Sequence, residues 1–180
     1  MNVRLLTVVL GVVMATFSAH AEVLAIGPSG FEIRNETLVN VPADKVYAAL
    51  VQRVGHWWDP AHTYSGDARN MSIEARPGGC FCEEVPGKGA IEHMRVLYVS
   101  TDEVFRLSGG LGPLQESGLA GTLTWTLKAE EDGTRVTQDY RVGGFRVGGF
   151  EELAPIVGQV LEIQLQRLKR LVETGDPADK

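Results

Sequence analysis

The chain has 180 residues, a formal net charge of −6, 44% hydrophobic residues and only two cysteines. This apolar content is typical of one folded domain and argues against a disordered chain. The acidic balance offers no basic surface for nucleic acid, no internal apolar run reaches the roughly 20 residues of a membrane span, and two cysteines cannot form a disulfide-rich scaffold.

The beginning of the chain has the organisation of an export signal. Arg4 precedes an apolar stretch, Leu5 to Phe17, and Ala19-His20-Ala21 matches a small-residue cleavage site. The apolar stretch is too short for a membrane anchor, since a span needs roughly 20 residues. We therefore expect a signal peptide over 1–21 and an exported protein, periplasmic or secreted, whose single domain covers 22–180.

The next segments predict a strand, a helix and a series of short strands. Partial alternation indicates a strand over 31–41, and Pro42 to Gly55 has the spacing of a helix that ends in a short turn at His56 to Pro60. Alternating runs separated by turn-forming residues then predict six strands, at 69–76, 80–85, 90–99, 103–108, 119–128 and 134–142.

The longest helical pattern covers 151–173 and follows the repeated pentapeptide Arg-Val-Gly-Gly-Phe at 141–150. We interpret the repeat as a permissive strand-to-helix connection rather than a flap, and the glycine-rich segment 108–118 as a mobile loop. Strands followed by a long amphipathic helix indicate an α+β fold with helices on one face of an antiparallel sheet. The concave space between them is a usual place for an apolar small molecule.

Short segments in this order resemble the SRPBCC (START-like) superfamily, above all its polyketide cyclase/dehydrase and Hsp90-ATPase-activator-like branches. They are Val41–Val46, the Trp57-Trp58 pair, Pro77–Phe81, Thr124–Leu127 and Gly133–Thr137, and the resemblance covers about residues 31–173. The resemblance implies a helix-grip (Bet v 1-like) fold, in which a twisted antiparallel sheet wraps a long C-terminal helix around a hydrophobic cavity. It implies no single chemistry, because fold does not determine function. An exported chain does not meet cytosolic Hsp90, so we expect no co-chaperone role.

Aromatic and thioether side chains are suited to such a cavity because they offer large apolar surfaces. Strand alternation predicts that Glu92, Met94 and Tyr98 share one face, which we take as the inner one. Gln138 and Tyr140 alternate on the last strand and could orient a polar group of the ligand. The predicted ligand-binding residues are Trp57, Trp58, Met94, Tyr98, Trp125, Gln138 and Tyr140, with plain core packing as the alternative.

These residues predict an exported binding protein for a small hydrophobic or amphipathic molecule, lipid-like or of polyketide or aromatic type. The alternative is a cyclase/dehydratase-type enzyme in which Glu92 or Tyr140 transfers a proton, because burial raises the pKa of a carboxyl toward neutrality. A cell-envelope interaction module without a cavity is a third possibility. Nucleotide and phosphate motifs are absent, so we expect no cofactor, and the sequence identifies no protein partner.

Cys80 and Cys82 lie two residues apart in a predicted strand and therefore share a face. Their expected Cα separation of about 6.6 Å is near the limit for a disulfide. An oxidising compartment favours a bridge, while two packing thiols and a metal or redox role stay open. A metal would need nitrogen ligands such as His56, His62 or His93, and no two-histidine motif is present, so we predict no metal site.

Overall fold

A computed structural model describes residues 22–178, and the predicted export signal lies outside this range. Eight strands form one antiparallel sheet in the order β1-β2-β8-β7-β6-β5-β4-β3. The strands are β1 (Glu22–Gly27), β2 (Gly30–Val39), β3 (Met71–Ile73), β4 (Cys80–Val85), β5 (Gly89–Ser100), β6 (Val104–Gly109), β7 (Ala120–Glu130) and β8 (Gly133–Gly143). The helices are α1 (Ala43–Gln52), α2 (Val54–Trp57), α3 (Pro113–Glu116) and α4 (Leu153–Thr174), with 3-10 turns at Pro60–His62 and Ala68–Asn70.

The core lies between one face of the sheet and α4. Every second residue of the central strands points inward, as with Ile33 on β2 and Val136 on β8, and both are fully buried. Leu161, Leu165 and Leu168 present the apolar stripe of α4 to this face, and α4 packs across β2 and beside α1. The predicted α+β, helix-grip architecture is confirmed.

The ends of α4 follow the signals in its sequence. The helix starts two residues after predicted position 151 and stops at Gly175, which adopts φ +84° and donates its N–H to the carbonyl of Leu171. A left-handed residue after a helix is easiest for glycine because it has no Cβ. The repeat before α4 is a connection, as predicted, and its two phenylalanines differ: Phe145 is exposed, whereas Phe150 is buried against Phe31.

Three elements differ from the sequence prediction. β1 was not predicted, because most of its residues are exposed and its main support is antiparallel pairing with β2. β3 is limited to Met71–Ile73 within the longer predicted strand 69–76. The segment 108–118 was predicted as a loop but contains α3, which begins at Pro113 and buries Leu114. Pairing and burial, which are tertiary effects, decide all three.

The prediction that Glu92, Met94 and Tyr98 share one face is wrong, because β5 contains two bulges. Opposite β4, Phe81 pairs with Met94 and Cys82 with Glu92, so His93 is the extra residue. Opposite β6, Val96 and Tyr98 pair with successive residues, so that Leu97 is extra. Each bulge reverses the alternation. Met94 and Val96 therefore point into the core, while Glu92 and Tyr98 are exposed.

Candidate ligand-binding cavity

A cavity of about 580 Å³ lies beside the first half of α4. Its other walls are formed by the segment from Trp58 to Tyr64, by the α3 region and by His93 of β5. Its size falls within the range of small-molecule sites, about 300–1,000 Å³. The wall is mostly apolar and includes Trp58, Leu111, Leu114, Leu153, Val157 and Leu161.

The helix wall of the cavity is one row along α4. Leu153, Val157, Val160 and Leu161 recur at three-to-four spacing, so that they project on the same side of the helix. Ile156, at the same end, lines the cavity and is 58% exposed. The cavity is therefore accessible from solvent near the start of α4.

The loop wall is held in place by Tyr140, which lies below it on β8. The Tyr140 hydroxyl donates to the carbonyl of Gly109 at 3.0 Å and accepts the N–H of Leu111 at 3.4 Å. Burial raises the pKa of Tyr140 to about 12, so its hydroxyl stays protonated near neutral pH. Tyr140 thus positions the backbone that carries Leu111 into the cavity.

A buried pair of ionisable residues, Glu83 on β4 and His93 on β5, forms part of the same site. Their side chains are 0% and 4% exposed, and Nε2 of His93 lies 3.0 Å from Oε2 of Glu83. The Glu83 carboxylate also accepts the backbone N–H groups of Tyr64 at 3.1 Å and Ser65 at 2.5 Å. The pair therefore ties the two strands to the loop that closes the cavity.

Burial and hydrogen bonds place the pair in defined charge states. Desolvation lowers the pKa of His93 and outweighs the opposing influence of Glu83, so the imidazole is neutral near pH 7. Desolvation would raise the pKa of Glu83, but the hydrogen bonds from Ser65, Tyr64 and His93 together outweigh it and lower that pKa. The site thus holds a carboxylate and a neutral imidazole.

Aromatic rings continue from the cavity into the core. The His93 ring lies 6.0 Å from that of Tyr64 and 5.5 Å from that of Phe81, which contacts Trp58 edge-on at 5.3 Å. Trp58 in turn meets Trp57, and these tilted contacts are the favourable geometries for aromatic pairs. The cavity wall is therefore supported by packed rings.

The predicted ligand-binding residues separate into wall, core and outer face. Trp58 lines the cavity, and its Nε1 donates to the carbonyl of His62 at 2.9 Å. Trp57, Met94, Trp125, Gln138 and Tyr140 are buried in the core and are not among the residues of the wall. Tyr98 is 48% exposed, with the Arg106 guanidinium over its ring at 5.7 Å.

The remaining predicted residues are also placed by the structure. Glu92, the suggested proton donor, is exposed and forms an ion pair with Arg95 on the outer face of β5. Cys80 and Cys82 are joined in a disulfide with a Cα separation of 5.4 Å, shorter than an ideal extended strand would give. Within residues 22–178 no cluster of three or more His, Cys, Asp or Glu side chains has metal-binding geometry.

Three buried amide side chains lie on β2, β8 and α4. Asn35 Nδ2 donates to Gln138 Oε1 at 2.9 Å and to the carbonyl of Gly158 at 3.3 Å. Gln164 Oε1 accepts the N–H of Asp59 at 2.8 Å, beside Trp58. Among the described residues, Oδ1 of Asn35 and the Nε2 atoms of both glutamines have no partner. Such atoms are costly to bury and mark places where water or a polar ligand atom is accommodated.

Sequence reasoning missed the Glu83–His93 pair and named His93 only as a possible metal ligand. One signal was present, since Glu83 alternates with Phe81 and therefore shares the face of a large apolar side chain. No pattern in the sequence indicated the bulge at His93. Asn35 and Gln164 were likewise hidden within otherwise regular strand and helix patterns.

A family model described as "Polyketide cyclase / dehydrase and lipid transport" matches residues 31–173. No curated protein matches the sequence significantly. None of the helices in the described part of the chain combines the length and apolar character needed to cross a membrane.

Solved structures share the fold at low sequence identity. CalU16 from Micromonospora echinospora is 17% identical, with a TM-score of 0.60 over 89% of this chain and 87% of its own. A conserved protein of unknown function, EF2215 from Enterococcus faecalis, is 14% identical, with a TM-score of 0.59 over 89% and 80%. DynU16, from the dynemicin biosynthetic locus, is 20% identical, with a TM-score of 0.55 over 81% of this chain and 48% of its own.

Proposed function

Because this chain belongs to the polyketide cyclase/dehydrase and lipid transport family, we propose that it is an exported protein that binds a small hydrophobic or amphipathic molecule. The cavity of about 580 Å³ beside α4 is the observation that carries this proposal. A ligand seated there loses apolar contact with water, which contributes about 2.5 kcal/mol for each 100 Å² removed. An interaction module without a cavity would not need this space.

Export is supported by two independent features. The first is the sequence of residues 1–21, in which Arg4 precedes an apolar stretch and Ala19-His20-Ala21 matches a small-residue cleavage site. The Cys80–Cys82 disulfide is of a kind that persists in oxidising compartments and is rare in the cytosol. N-terminal sequencing of the protein recovered from the exported fraction tests this part, and a chain that retains residues 1–21 would contradict it.

Native mass spectrometry of the recovered protein, followed by denaturation in the instrument, tests ligand binding. We expect a bound molecule that is released when the chain unfolds, with a mass that identifies its class. A bare chain would leave weakly bound ligands to be examined by direct titration with the neutral dye Nile red.

A matched pair of variants locates the bound dye. Val157 lines the cavity, whereas Gln159 is exposed on the same helix and is not part of the wall. We expect Val157→Trp to fill the cavity and abolish Nile red binding, while Gln159→Trp leaves it unchanged. Equal binding by both variants, or no binding by the wild-type protein, would contradict the proposed site.

A cyclase/dehydratase-type reaction is the second candidate function, and one observation favours it. The cavity wall holds a neutral imidazole, His93, bound to a carboxylate, Glu83, and such a group can take a proton near neutral pH. If the protein is an enzyme, His93→Gln should reduce turnover strongly, whereas Glu92→Gln, on the outer face, should not. The opposite result would favour the acid that the sequence alone suggested.

A further inference from the structure

We propose that His93 is a hydrogen-bond acceptor of the cavity and that its ligand is an uncharged molecule with a hydroxyl group on an apolar body. This inference depends on the proposed function, because it names the ligand class of the same cavity. Three features of the site support it: the position of one proton, the open edge of the imidazole ring and the charges on the wall.

The proton between Glu83 and His93 must be on the histidine. The Glu83 carboxylate already accepts the N–H groups of Tyr64 and Ser65, and a carboxylate has no proton to donate. The contact of 3.0 Å between Nε2 and Oε2 is therefore an N–H donated by His93. In a neutral imidazole one nitrogen donates and the other accepts. Nδ1 of His93 consequently carries a lone pair.

The geometry leaves this nitrogen for a ligand. Nδ1 of His93 has no hydrogen-bond partner among the residues that the structure describes, and His93 is part of the cavity wall. The rings of Tyr64 and Phe81 lie close to the imidazole and restrict its movement. Nε2 faces Glu83, so the other edge of the ring is the one available to a hydroxyl in the cavity.

The charges around the cavity disfavour an anionic ligand. Glu83 lies behind His93, and Glu116 of α3 is part of the wall, whereas the described wall residues include no lysine or arginine. Tyr64 is beside His93, and burial, with Glu116 and Glu83, raises the pKa of its hydroxyl. His62 also lines the cavity. A carboxylic acid or sulfonate would lose its hydration without gaining a fixed cation, which is unfavourable.

Three probes of similar shape separate these requirements: naphthalene, 2-naphthol and 2-naphthoic acid. Their affinities are measured at pH 7.5 by displacement of Nile red from the purified protein. We expect 2-naphthol to bind roughly tenfold more tightly than naphthalene, the effect of about one hydrogen bond, and 2-naphthoate to bind most weakly. Equal binding of naphthalene and 2-naphthol would overturn the role of His93, and tighter binding of 2-naphthoate would overturn the preference for an uncharged ligand.

Two variants at one position identify the acceptor. In His93→Gln, the longer side chain can still donate to Glu83 from its amide but has no acceptor at the place of Nδ1. In His93→Asn, the shorter amide can place an oxygen near Nδ1. We expect His93→Gln to reduce the preference for 2-naphthol to less than twofold while naphthalene binding is retained, and His93→Asn to restore part of it.

His56→Gln is the matched control, because His56 is exposed on α2 and is not part of the wall. A preference that survives His93→Gln, or is lost in His56→Gln, would overturn the inference. Nitrogen-15 NMR of the imidazole supplies a test that needs no ligand. A proton on Nδ1 rather than Nε2 at pH 7.5 would also overturn it. If wild-type protein binds neither Nile red nor naphthalene, the proposed function itself fails.

Discussion

Glu83 and His93 illustrate how two ionisable side chains can be buried together. The Glu83 carboxylate accepts three hydrogen bonds, two from the backbone N–H groups of Tyr64 and Ser65 and one from the neutral imidazole of His93. Burying an unpaired charge costs several kcal/mol, so each partner depends on the others. Glu83 also holds the Tyr64–Ser65 segment beside the cavity, so a pH change that alters the charges of the pair also alters these contacts.

Acidification should destabilise the protein in two stages. The pKa of His93 is lower in the folded protein than its ordinary value of 6.5, so the unfolded chain binds more protons and stability falls as pH decreases from about 6.5. The pKa of Glu83 is also lowered in the folded state, so a second loss begins below its ordinary value of 4.5. Urea unfolding between pH 8 and pH 3 measures both stages.

The His93→Gln variant separates the two stages. It has no imidazole to titrate, so we expect the upper loss of stability, which begins at about pH 6.5, to become smaller, while the lower stage persists. His56→Gln, which removes an exposed imidazole, should retain both stages. A His93→Gln profile that matches the wild-type profile would show that His93 does not cause the upper stage.

Helix α4 organises the cavity through polar as well as apolar contacts. Gln164 Oε1 accepts the N–H of Asp59, and one turn later Arg167 Nε donates to the carbonyl of Trp57 at 2.9 Å. These two contacts hold the Trp57–Asp59 segment, and with it the Trp58 ring, against the helix. The apolar row of α4 forms one wall of the cavity. Gln164 and Arg167, further along the same helix, hold the segment that places Trp58 in the adjacent wall.

Replacement of Gln164 should loosen this segment. Gln164→Leu replaces the buried amide by a slightly shorter apolar side chain and leaves the Asp59 N–H without its acceptor, which costs about 1–2 kcal/mol of unfolding free energy. Faster hydrogen exchange at residues 58–62 is expected in the variant. Gln159→Leu, an exposed substitution on the same helix, should change neither quantity, and unchanged exchange in Gln164→Leu would show that the contact is dispensable.

The disulfide in β4 closes a very short ring and lies on the strand that carries Phe81 and Glu83, both of which contact His93. Loop-closure entropy gives a ring of three residues only about 1–2 kcal/mol. We therefore expect reduction, or the double variant Cys80→Ser with Cys82→Ser, to lower the melting temperature modestly without unfolding the domain. Loss of the fold on reduction would show that the bridge has a larger role.

The bulges in β5 show how a strand can serve two environments. His93 and Met94 are both buried although they are neighbours, because the bulge at His93 changes the direction of the side chains. Without the bulge, strict alternation would bury Glu92 on the same side as Met94 and would expose His93. The burial of His93, the proposed acceptor, thus depends on an irregularity in the pairing of β5 with β4.

At the scale of the molecule, core and cavity are separate regions of one interior. Trp125 is 2% exposed and meets Trp57 edge-on at 6.0 Å, whereas Trp58, which is also buried, lines the cavity. The sequence presents all three tryptophans as equivalent candidates. The fold assigns one of them to the cavity and the others to packing.

Alanine variants of two tryptophans should therefore differ. Trp125→Ala removes core packing and should lower the free energy of unfolding by about 3–5 kcal/mol, with the affinity for Nile red per folded molecule unchanged. Trp58→Ala should lower that affinity as well, because it removes part of the wall. Titration under conditions in which both variants are folded compares them, and weakened binding in Trp125→Ala would place its indole in the site.

Much of the fold was predictable because its signals are local and repeated. The apolar spacing of α4, the turn residues between strands and the ordered similarity over about 31–173 all pointed to the α+β, helix-grip architecture that the structure confirms. Strands β4 to β8 lie close to their predicted ranges for the same reason. β1 was missed because an exposed edge strand is specified by its neighbour rather than by its own side chains.

The sequence by itself determined the architecture and the apolar composition of the interior, since periodicity and turn chemistry act between near neighbours in the chain. Only the tertiary structure decided which residues meet in the cavity. Glu83 and His93 are brought together by strand pairing and a bulge, and Glu92 and Tyr98 are turned outward by the same irregularities. A shift of one residue in a strand exchanges its two faces, and one bulge has no reliable local signal.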